Sequence, residues 1–128
     1  MCADGTYVGD VAPWYDSAAS RYNIYFLKDI WSGAGQKHPI YAFTSSNFYS
    51  YGETGSIVAS SANTCDQDHA VGAGSVVKSG NEYFSFYTGH NPDITGCTNG
   101  VKREGVMLAR STSATTGFTK DTNFTTIY

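Results

Sequence analysis

The sequence predicts an all-β protein made of two four-stranded antiparallel sheets. Tyr, Phe, Thr, Ser and Gly are abundant, with 10 Tyr, 7 Phe and 14 Gly in 128 residues, and these residue types favour strands and tight turns. No window long enough for a helix repeats its apolar residues every 3.6 positions. A chain of this length normally forms one domain, so we assign residues 1–128 to a single domain.

Turn-prone segments divide the chain into two groups of strands. The first group comprises residues 8–15, 22–28 and 38–44, with a fourth strand at either 49–51 or 56–59. We predict a loop for residues 30–37, which contain Gly33 and Gly35. The second group comprises residues 72–78, 83–88, 106–111 and a short strand at 118–120. A long loop rich in Gly, Asn and Thr is expected at residues 89–103.

The two groups of strands form an internal repeat. Residues 21–29 (RYNIYFLKD) align with 82–90 (EYFSFYTGH), and 40–45 (IYAFTS) align with 106–111 (VMLARS). A unit of about 60 residues with four antiparallel strands has the size of a β-propeller blade. We therefore predict two blades, at about 8–60 and 70–128. Because a propeller needs at least about four blades to close, the chain should associate with itself or with further blades.

Charge and hydropathy exclude several classes of partner. The net charge is -3 and the basic residues are scattered, which argues against a nucleic-acid surface. No apolar run reaches the ~18 residues of a membrane span. The first eight residues lack the basic start and apolar centre of a signal peptide. Many aromatic and few charged side chains instead suit a carbohydrate, because aromatic faces stack on sugar C–H surfaces.

The cysteine pattern bears on compartment and on metals. The chain has Cys2, Cys65 and Cys97 and no CxxC pair, so we expect no structural zinc. Cys65 and Cys97 lie in polar loops, and a disulfide between them is possible. We expect an extracellular or periplasmic location, with the cytoplasm left open. Asp66 and Asp68 offer too few oxygens for calcium, which takes 6–8, so no metal or cofactor is expected.

Asp10 is the strongest candidate for a functional residue. It is a carboxylate near the start of an apolar, aromatic strand, and such a group is costly unless it is solvated, paired or used. In the second repeat the matching position falls at about Gly72, so this strand does not need an acid there. A turn role is the alternative, since Asp after Gly often serves a turn.

The motifs around Asp10 resemble a known enzyme family. Residues 9–15 (GDVAPWY), followed by 22–29 (YNIYFLKD), are similar to the opening of glycoside hydrolase family 32, which includes invertases, levanases and inulinases. Later segments resemble that family in the same order, namely 38–48 (HPIYAFTSSNF), 72–77 (GAGSVV), 83–91 (YFSFYTGHN) and 106–111 (VMLARS). The resemblance covers nearly the whole chain from Val8 onward.

The resemblance implies a fold and a reaction. It implies a five-bladed β-propeller that hydrolyses β-fructosides such as levan, inulin or sucrose with retention of configuration, and Asp10 matches the nucleophile. The family's second Asp, in an Arg-Asp-Pro motif, and its acid/base Glu have no counterpart in this sequence. The chain would thus be an N-terminal portion that is inactive alone. Val11 and Ala12 depart from the common NDPNG form and fit better with the branch that reads GDxMPFY.

Five further residues are candidates for binding the substrate: Trp31, Asp29, Asp68, Ala73 and Ser75. Trp31 and Asp29 follow a strand and could line the pocket, although packing is the commoner role of Trp. Ala73 and Ser75 begin the inner strand of the second unit, where main-chain and hydroxyl groups could face the sugar. Gly72 and Gly74 would let neighbouring backbones approach closely.

Two other functions remain open at this point. The chain could be a non-catalytic sugar-binding or truncated propeller fragment, because it contains only one of the required carboxylates. It could also belong to an arabinanase-like five-bladed hydrolase, which would share the fold and the first Asp but not the fructoside substrate. The expected partner in each case is a carbohydrate, with no nucleic acid and no membrane.

Overall fold

The computed structural model describes residues 7–32, 35–91 and 94–128, without the side chains of residues 7, 29–32, 35–37, 53 and 73. The described part of the chain consists of strands, turns and loops, which confirms the all-β prediction. Within it there is no helix long and apolar enough to cross a membrane. Its strands form two antiparallel sheets, and one of these sheets curls strongly into a half-barrel.

The first sheet has five strands rather than the predicted four. Its main path runs β1-β2-β4-β5, and β3 pairs with β2 off this path. The strands are β1 (Tyr7–Asp16), β2 (Arg21–Ser32), β3 (Gly35–Lys37), β4 (Ile40–Ser45) and β5 (Gly52–Val58). The loop predicted for residues 30–37 was wrong, because β2 continues to Ser32 and its end pairs with β3.

The second sheet has four strands in sequence order, β6-β7-β8-β9. They are β6 (Ala70–Ser79), β7 (Glu82–His90), β8 (Glu104–Ser111) and β9 (Thr119–Lys120). All were predicted, and β6 to β8 extend by up to two residues beyond the predicted ends. β6 and β7 are joined by a tight turn at Gly80, whose φ of 57° favours glycine.

The core lies between the two sheets. Tyr25 and Ala42 of the first sheet are almost fully buried, as are Val76 and Tyr87 of the second. The Tyr25 hydroxyl donates a hydrogen bond of 2.9 Å to the Ala114 carbonyl across the interface. Apolar burial of this kind stabilises each large side chain by about 1.5–3 kcal/mol, so the two sheets stabilise each other.

Strand register confirms the internal repeat. Ile24 of β2 pairs with Phe43 of β4, and in the second sheet Ser85 of β7 pairs with Ala109 of β8 at the aligned positions. All the remaining β2–β4 pairs also have their counterparts between β7 and β8. The two sheets are therefore two copies of one strand arrangement.

The loop after the third main strand is also repeated. In the first unit Ser45 Oγ donates to the carbonyl of Ser50 at 2.6 Å and accepts from the amide of Asn47. In the second unit Ser111 Oγ donates to the carbonyl of Thr116 at 2.5 Å and accepts from the amide of Ser113. One serine thus organises the same loop in both units.

The two units pack head to tail, through faces that are not equivalent. Tyr25 points into the shared core, but its equivalent Phe86 is exposed on the outer face of the second sheet. Tyr87 points into the core from the other side, while its equivalent Phe26 lies on the outer face of the first sheet, beside Tyr41 and Phe43. This arrangement leaves one free face at each end.

Candidate functional site

The first strand of each unit is interrupted by one β-bulge, and the two bulges lie at matching positions. In β1 the register with β2 shifts between Gly9 and Ala12. In β6 the register with β7 shifts between Gly72 and Gly74. Bulges bend a strand and redirect its side chains, and they are common next to active sites. The repeat therefore places an irregular backbone at the same point of both sheets.

The register corrects the expected counterpart of Asp10 by one residue. Gly9 pairs with Leu27, and the equivalent pair in the second sheet is Gly72 with Thr88. Asp10 therefore corresponds to Ala73 rather than to Gly72. The inference from the comparison is unchanged, because Ala73 also carries no acid.

Asp10 has an unusual backbone and an available carboxylate. Its φ is 52°, in the left-handed region, where non-glycine residues are uncommon and Asp is one of the better tolerated. The residue is exposed, and no described residue forms a hydrogen bond or ion pair with its carboxylate. A turn-forming Asp would accept a local amide hydrogen bond. The bulge thus holds Asp10 in a strained conformation, with a carboxylate that has no partner in the part of the chain that the structure describes.

Asp10 opens onto a concavity of about 470 Å³ between β1 and the second sheet, which we call the bulge pocket. It is lined by Asp10, Val11 and Ala12 of β1, and by Gly74, Ser75 and Phe86 among residues of the second sheet. The pocket thus combines a carboxylate, a hydroxyl group and an exposed aromatic ring. The structure brings together Asp10 and Ser75 of the candidate residues.

Gly74 allows the strands to approach beside this pocket. A Cβ atom built on Gly74 would lie 2.1 Å from the carbonyl oxygen of Phe86 and 2.9 Å from the Cα atom of Tyr87. Both neighbours are backbone atoms that cannot rotate away. Only glycine fits, as the sequence predicted for a close backbone approach.

Three other candidate residues lie on strands, but their side chains fall outside the described part of the structure. Asp29 and Trp31 are in the second half of β2, where Asp29 pairs with Tyr7 and Trp31 pairs with Gln36. Ala73 is the extra residue of the β6 bulge. Strand register gives the backbone positions of these three residues, and their roles in binding stay predictions.

Asp68, the remaining candidate for substrate binding, does not line the bulge pocket. Its carboxylate is buried, with 3% of the residue exposed, and accepts a hydrogen bond of 3.2 Å from the Tyr87 hydroxyl. It also pairs with Lys120 Nζ at 2.5 Å. A buried charge needs such partners, so its first role is to join the 61–69 loop to β7 and β9.

The buried contact also affects Tyr87. Burial, together with the charge of Asp68 and their hydrogen bond, raises the pKa of the Tyr87 hydroxyl far above its usual value. Tyr87 therefore remains a neutral donor to the carboxylate. No sequence pattern indicated this group, because Asp68, Tyr87 and Lys120 are far apart along the chain and meet only in the folded structure.

A disulfide and amide side chains hold the loop around Asp68. Cys65 and Cys97 are bonded, with 5.4 Å between their Cα atoms. Gln67 donates to the carbonyls of Gly89 and Lys102, both at 3.0 Å. Asn91 Nδ2 donates to the carbonyl of Asp66 at 2.9 Å. These bonds tie the 61–69 loop to the loop after β7.

Asp66 has a structural role in the same loop. Its carboxylate accepts hydrogen bonds from Ser61 Oγ at 2.6 Å and from Asn63 Nδ2 at 2.8 Å. Across the described residues, no group of three or more His, Cys, Asp or Glu side chains is arranged to hold a metal ion. The carboxylates of this loop thus stabilise its conformation.

Comparison with known proteins adds no family. The sequence was compared with models of protein families and with curated proteins, and neither comparison found a match. The candidate site therefore rests on the geometry of the bulge pocket and on the motifs of the sequence.

Proposed function

We propose that this chain is the N-terminal portion of a retaining β-fructosidase resembling glycoside hydrolase family 32, with Asp10 as its nucleophile. The observation that carries the proposal is the state of Asp10: its carboxylate is exposed, has no partner among the described residues, and is held at a φ of 52° beside an open pocket. Strained non-glycine residues cluster at functional sites, because folding tolerates their cost where geometry matters. The motifs on either side of Asp10 supply the reaction class.

The chemistry requires a second carboxyl group. In a retaining glycosidase one carboxylate attacks the anomeric carbon while a carboxylic acid protonates the leaving oxygen, and the two groups lie ~5–5.5 Å apart. Asp10 would form the glycosyl–enzyme bond as the glycosidic C–O bond breaks. Water, deprotonated by the second group, would then release the sugar and restore the carboxylate.

The other parts of the bulge pocket have roles in this proposal that follow from their chemistry. The exposed hydroxyl of Ser75 can donate to or accept from a sugar hydroxyl. The methyl groups of Val11 offer apolar surface to the C–H face of the sugar. The pocket is open, so neighbouring structure would have to complete the walls and exclude water.

The proposed architecture is a β-propeller in which these two sheets are adjacent blades. Head-to-tail packing of repeated sheets, with the bulged first strands in contact, favours this arrangement over a symmetric sandwich. Both outer faces carry exposed apolar residues, among them Tyr15 on the first sheet and Val77 on the second. Further blades on these faces would supply the second carboxylate.

The test on this chain is a sugar titration followed by NMR. With inulin-type fructo-oligosaccharides we expect amide shifts to change at Asp10, Val11, Gly74 and Ser75, which line the bulge pocket. Arabino-oligosaccharides of equal length should cause smaller changes. Larger changes with the arabinose series, or changes confined to the cavity around Asp68 and Lys120, would contradict the proposed substrate class and site.

A further inference from the structure

We propose that the two free faces of this chain are the two halves of one interface, so that copies of the chain join head to tail when no further blade covers these faces. The occupant of each face is a second copy of the chain, seated as the chain's own second sheet is seated on its first. The inference depends on the internal repeat and does not require the sugar chemistry.

One half of the interface is the outer face of the second sheet, which we call the front face. Val77, Phe86, Val106 and Ile127 lie on it, and each is at least 37% exposed. Register shows that they share this side. Val77 pairs with Phe84, Phe86 pairs with Leu108, and Val106 bridges to Ile127. Paired residues lie on the same face, as do residues two apart on one strand, such as Phe84 and Phe86 or Val106 and Leu108. Adjacent exposed apolar side chains of this kind mark an interaction surface.

The other half is the outer face of the first sheet together with the 45–50 loop, which we call the back face. Rings cover it, with centroid distances of 4.1 Å between Tyr22 and Phe48 and 5.0 Å between Phe43 and Tyr51. Phe48 and Tyr51 are mostly exposed. The back face is therefore an uncovered aromatic surface.

The existing contact between the sheets identifies the occupant. Within the chain, the Trp14 ring of the first sheet meets the Tyr83 ring of the second at 5.7 Å. Their repeat equivalents are Val77, on the front face, and Tyr22, on the back face. The front face thus corresponds to the surface that the first sheet already presents to the second, and the back face corresponds to the surface that receives it.

The loop contacts repeat in the same way. Ala114 is buried, and its carbonyl accepts the hydrogen bond from Tyr25 of the first sheet. The serine-centred loops align Ala114 with Phe48, whose amide is held by Ser45 Oγ at 2.8 Å. Phe86 occupies the position of Tyr25. In the proposed contact, Phe86 of one copy lies over the 45–50 loop of the next. Because Phe86 has no hydroxyl group, this contact lacks the hydrogen bond that Tyr25 makes.

Head-to-tail contacts of this type are heterologous, and they form rings when the rotation closes. Each copy contributes two sheets, and closed rings of such sheets hold ~4–8 units, which corresponds to about two to four copies. A face-to-face dimer is disfavoured because it would bury one type of face and leave the other exposed.

The test is sedimentation velocity on charge variants of each face. Val77→Asp adds a charge to the front face, at an exposed strand position. Phe48→Asp does the same on the back face, at a φ of 63° that Asp tolerates better than Phe. We expect the unmodified chain to form small closed oligomers and each variant to be a monomer at the same concentration. Circular dichroism serves as the control for folding.

A mixture of the two variants separates head-to-tail contacts from face-to-face contacts. Each variant retains one intact half, so an equal mixture should form 1:1 heterodimers that do not grow. Because both substitutions introduce the same charge, no new attraction arises between them. A variant that still forms homodimers, or a mixture that stays monomeric, would overturn the proposal, as would a monomeric unmodified chain at the highest soluble concentration.

A gain-of-affinity variant gives an independent outcome. Phe86→Tyr restores the hydroxyl that Tyr25 uses at the equivalent position, so it should reach the carbonyl of Phe48 in the next copy. One added buried hydrogen bond should tighten association roughly two- to tenfold. Phe84→Tyr, which adds a hydroxyl to the same face at a position without this counterpart, is the matched control. Weaker association of Phe86→Tyr would contradict the proposed alignment.

Discussion

At the scale of single residues, Asp10 combines an unfavourable backbone conformation with an exposed carboxylate that is unpaired within the described ranges. The sequence identified Asp10 from its place in a strand and from the missing acid in the second repeat. It could not predict the bulge or the φ of 52°, because both depend on how β1 and β2 align. The same limit applies to Asp68, whose burial against Tyr87 and Lys120 arises only when distant segments meet.

Substitution of Asp10 should separate stability from function. The left-handed conformation costs an L-residue roughly 1–2 kcal/mol, so Asp10→Gly should leave the free energy of unfolding unchanged or raise it by up to about 1 kcal/mol. Asp10→Ala should lower it by about 1 kcal/mol. Urea unfolding of the three proteins tests this. A large loss of stability in Asp10→Gly would mean that the carboxylate has a structural role.

Gly74 should be intolerant of any side chain. Because its Cβ would meet the carbonyl of Phe86 at 2.1 Å, Gly74→Ala should lower the free energy of unfolding by about 1–3 kcal/mol or more. Gly52→Ala is the matched control, since nothing lies within 4 Å of a Cβ there. Equal melting temperatures for the two variants would show that the strands can separate at Gly74 without cost.

Two buried tyrosines should make the fold sensitive to alkali. Burial is the main cause that raises the pKa of both Tyr25 and Tyr87 above the usual 10.0. Above pH ~10 the unfolded chain loses these protons while the folded chain keeps them, so stability is full below pH 10 and falls as pH rises. We expect a decrease of up to ~1.4 kcal/mol per pH unit for each group.

The measurement is guanidinium unfolding between pH 8 and 11.5. Tyr87→Phe removes one of the two groups, so its stability should fall less steeply above pH 10 than that of the unmodified chain. Parallel curves for the two proteins would show that Tyr87 does not keep its proton in the fold.

At the scale of strands and loops, pattern and turn residues predicted most of the elements. The β6–β7 hairpin and β8 were found nearly to the residue, because apolar runs and turn residues coincide there. The β2–β3 extension was missed, since Gly33 and Gly35 suggested a loop. The sequence allowed a disulfide between two cysteines in polar loops. It did not show that these loops lie close enough for the bond to form, as they do in the structure.

The disulfide should contribute substantially to stability. It closes a loop across 32 positions, and loss of such a cross-link costs about 3.7 kcal/mol in the chain-entropy account. We expect the double variant Cys65→Ser, Cys97→Ser to unfold at a lower denaturant concentration. A reducing agent should destabilise the unmodified chain but not the variant. If the variant were as stable as the unmodified chain, the hydrogen bonds of Gln67 and Asn91 alone would hold the loops.

At the scale of the whole molecule, the repeat determines how the sheets pack and which faces stay free. Alignment of the two units predicted two similar sheets, and register confirms that they are equivalent. Their head-to-tail order could not be predicted, because the alignment does not say which face of each sheet is buried. The bulge pocket follows from that order, since it lies where β1 meets the second sheet.

The proposed function is tested most directly by turnover in a longer protein of which this chain would be the N-terminal portion and which would carry the acid/base. Asp10→Asn should preserve folding and substrate binding, because the side chains are nearly isosteric. Release of fructose from sucrose, inulin and levan should fall by several orders of magnitude, since an amide cannot attack the anomeric carbon. Glu104→Gln, which removes an exposed carboxylate far along the chain, should keep full activity. If Asp10→Asn retained more than about a tenth of the turnover, equivalent to ~1.4 kcal/mol of barrier or less, Asp10 would not be the nucleophile.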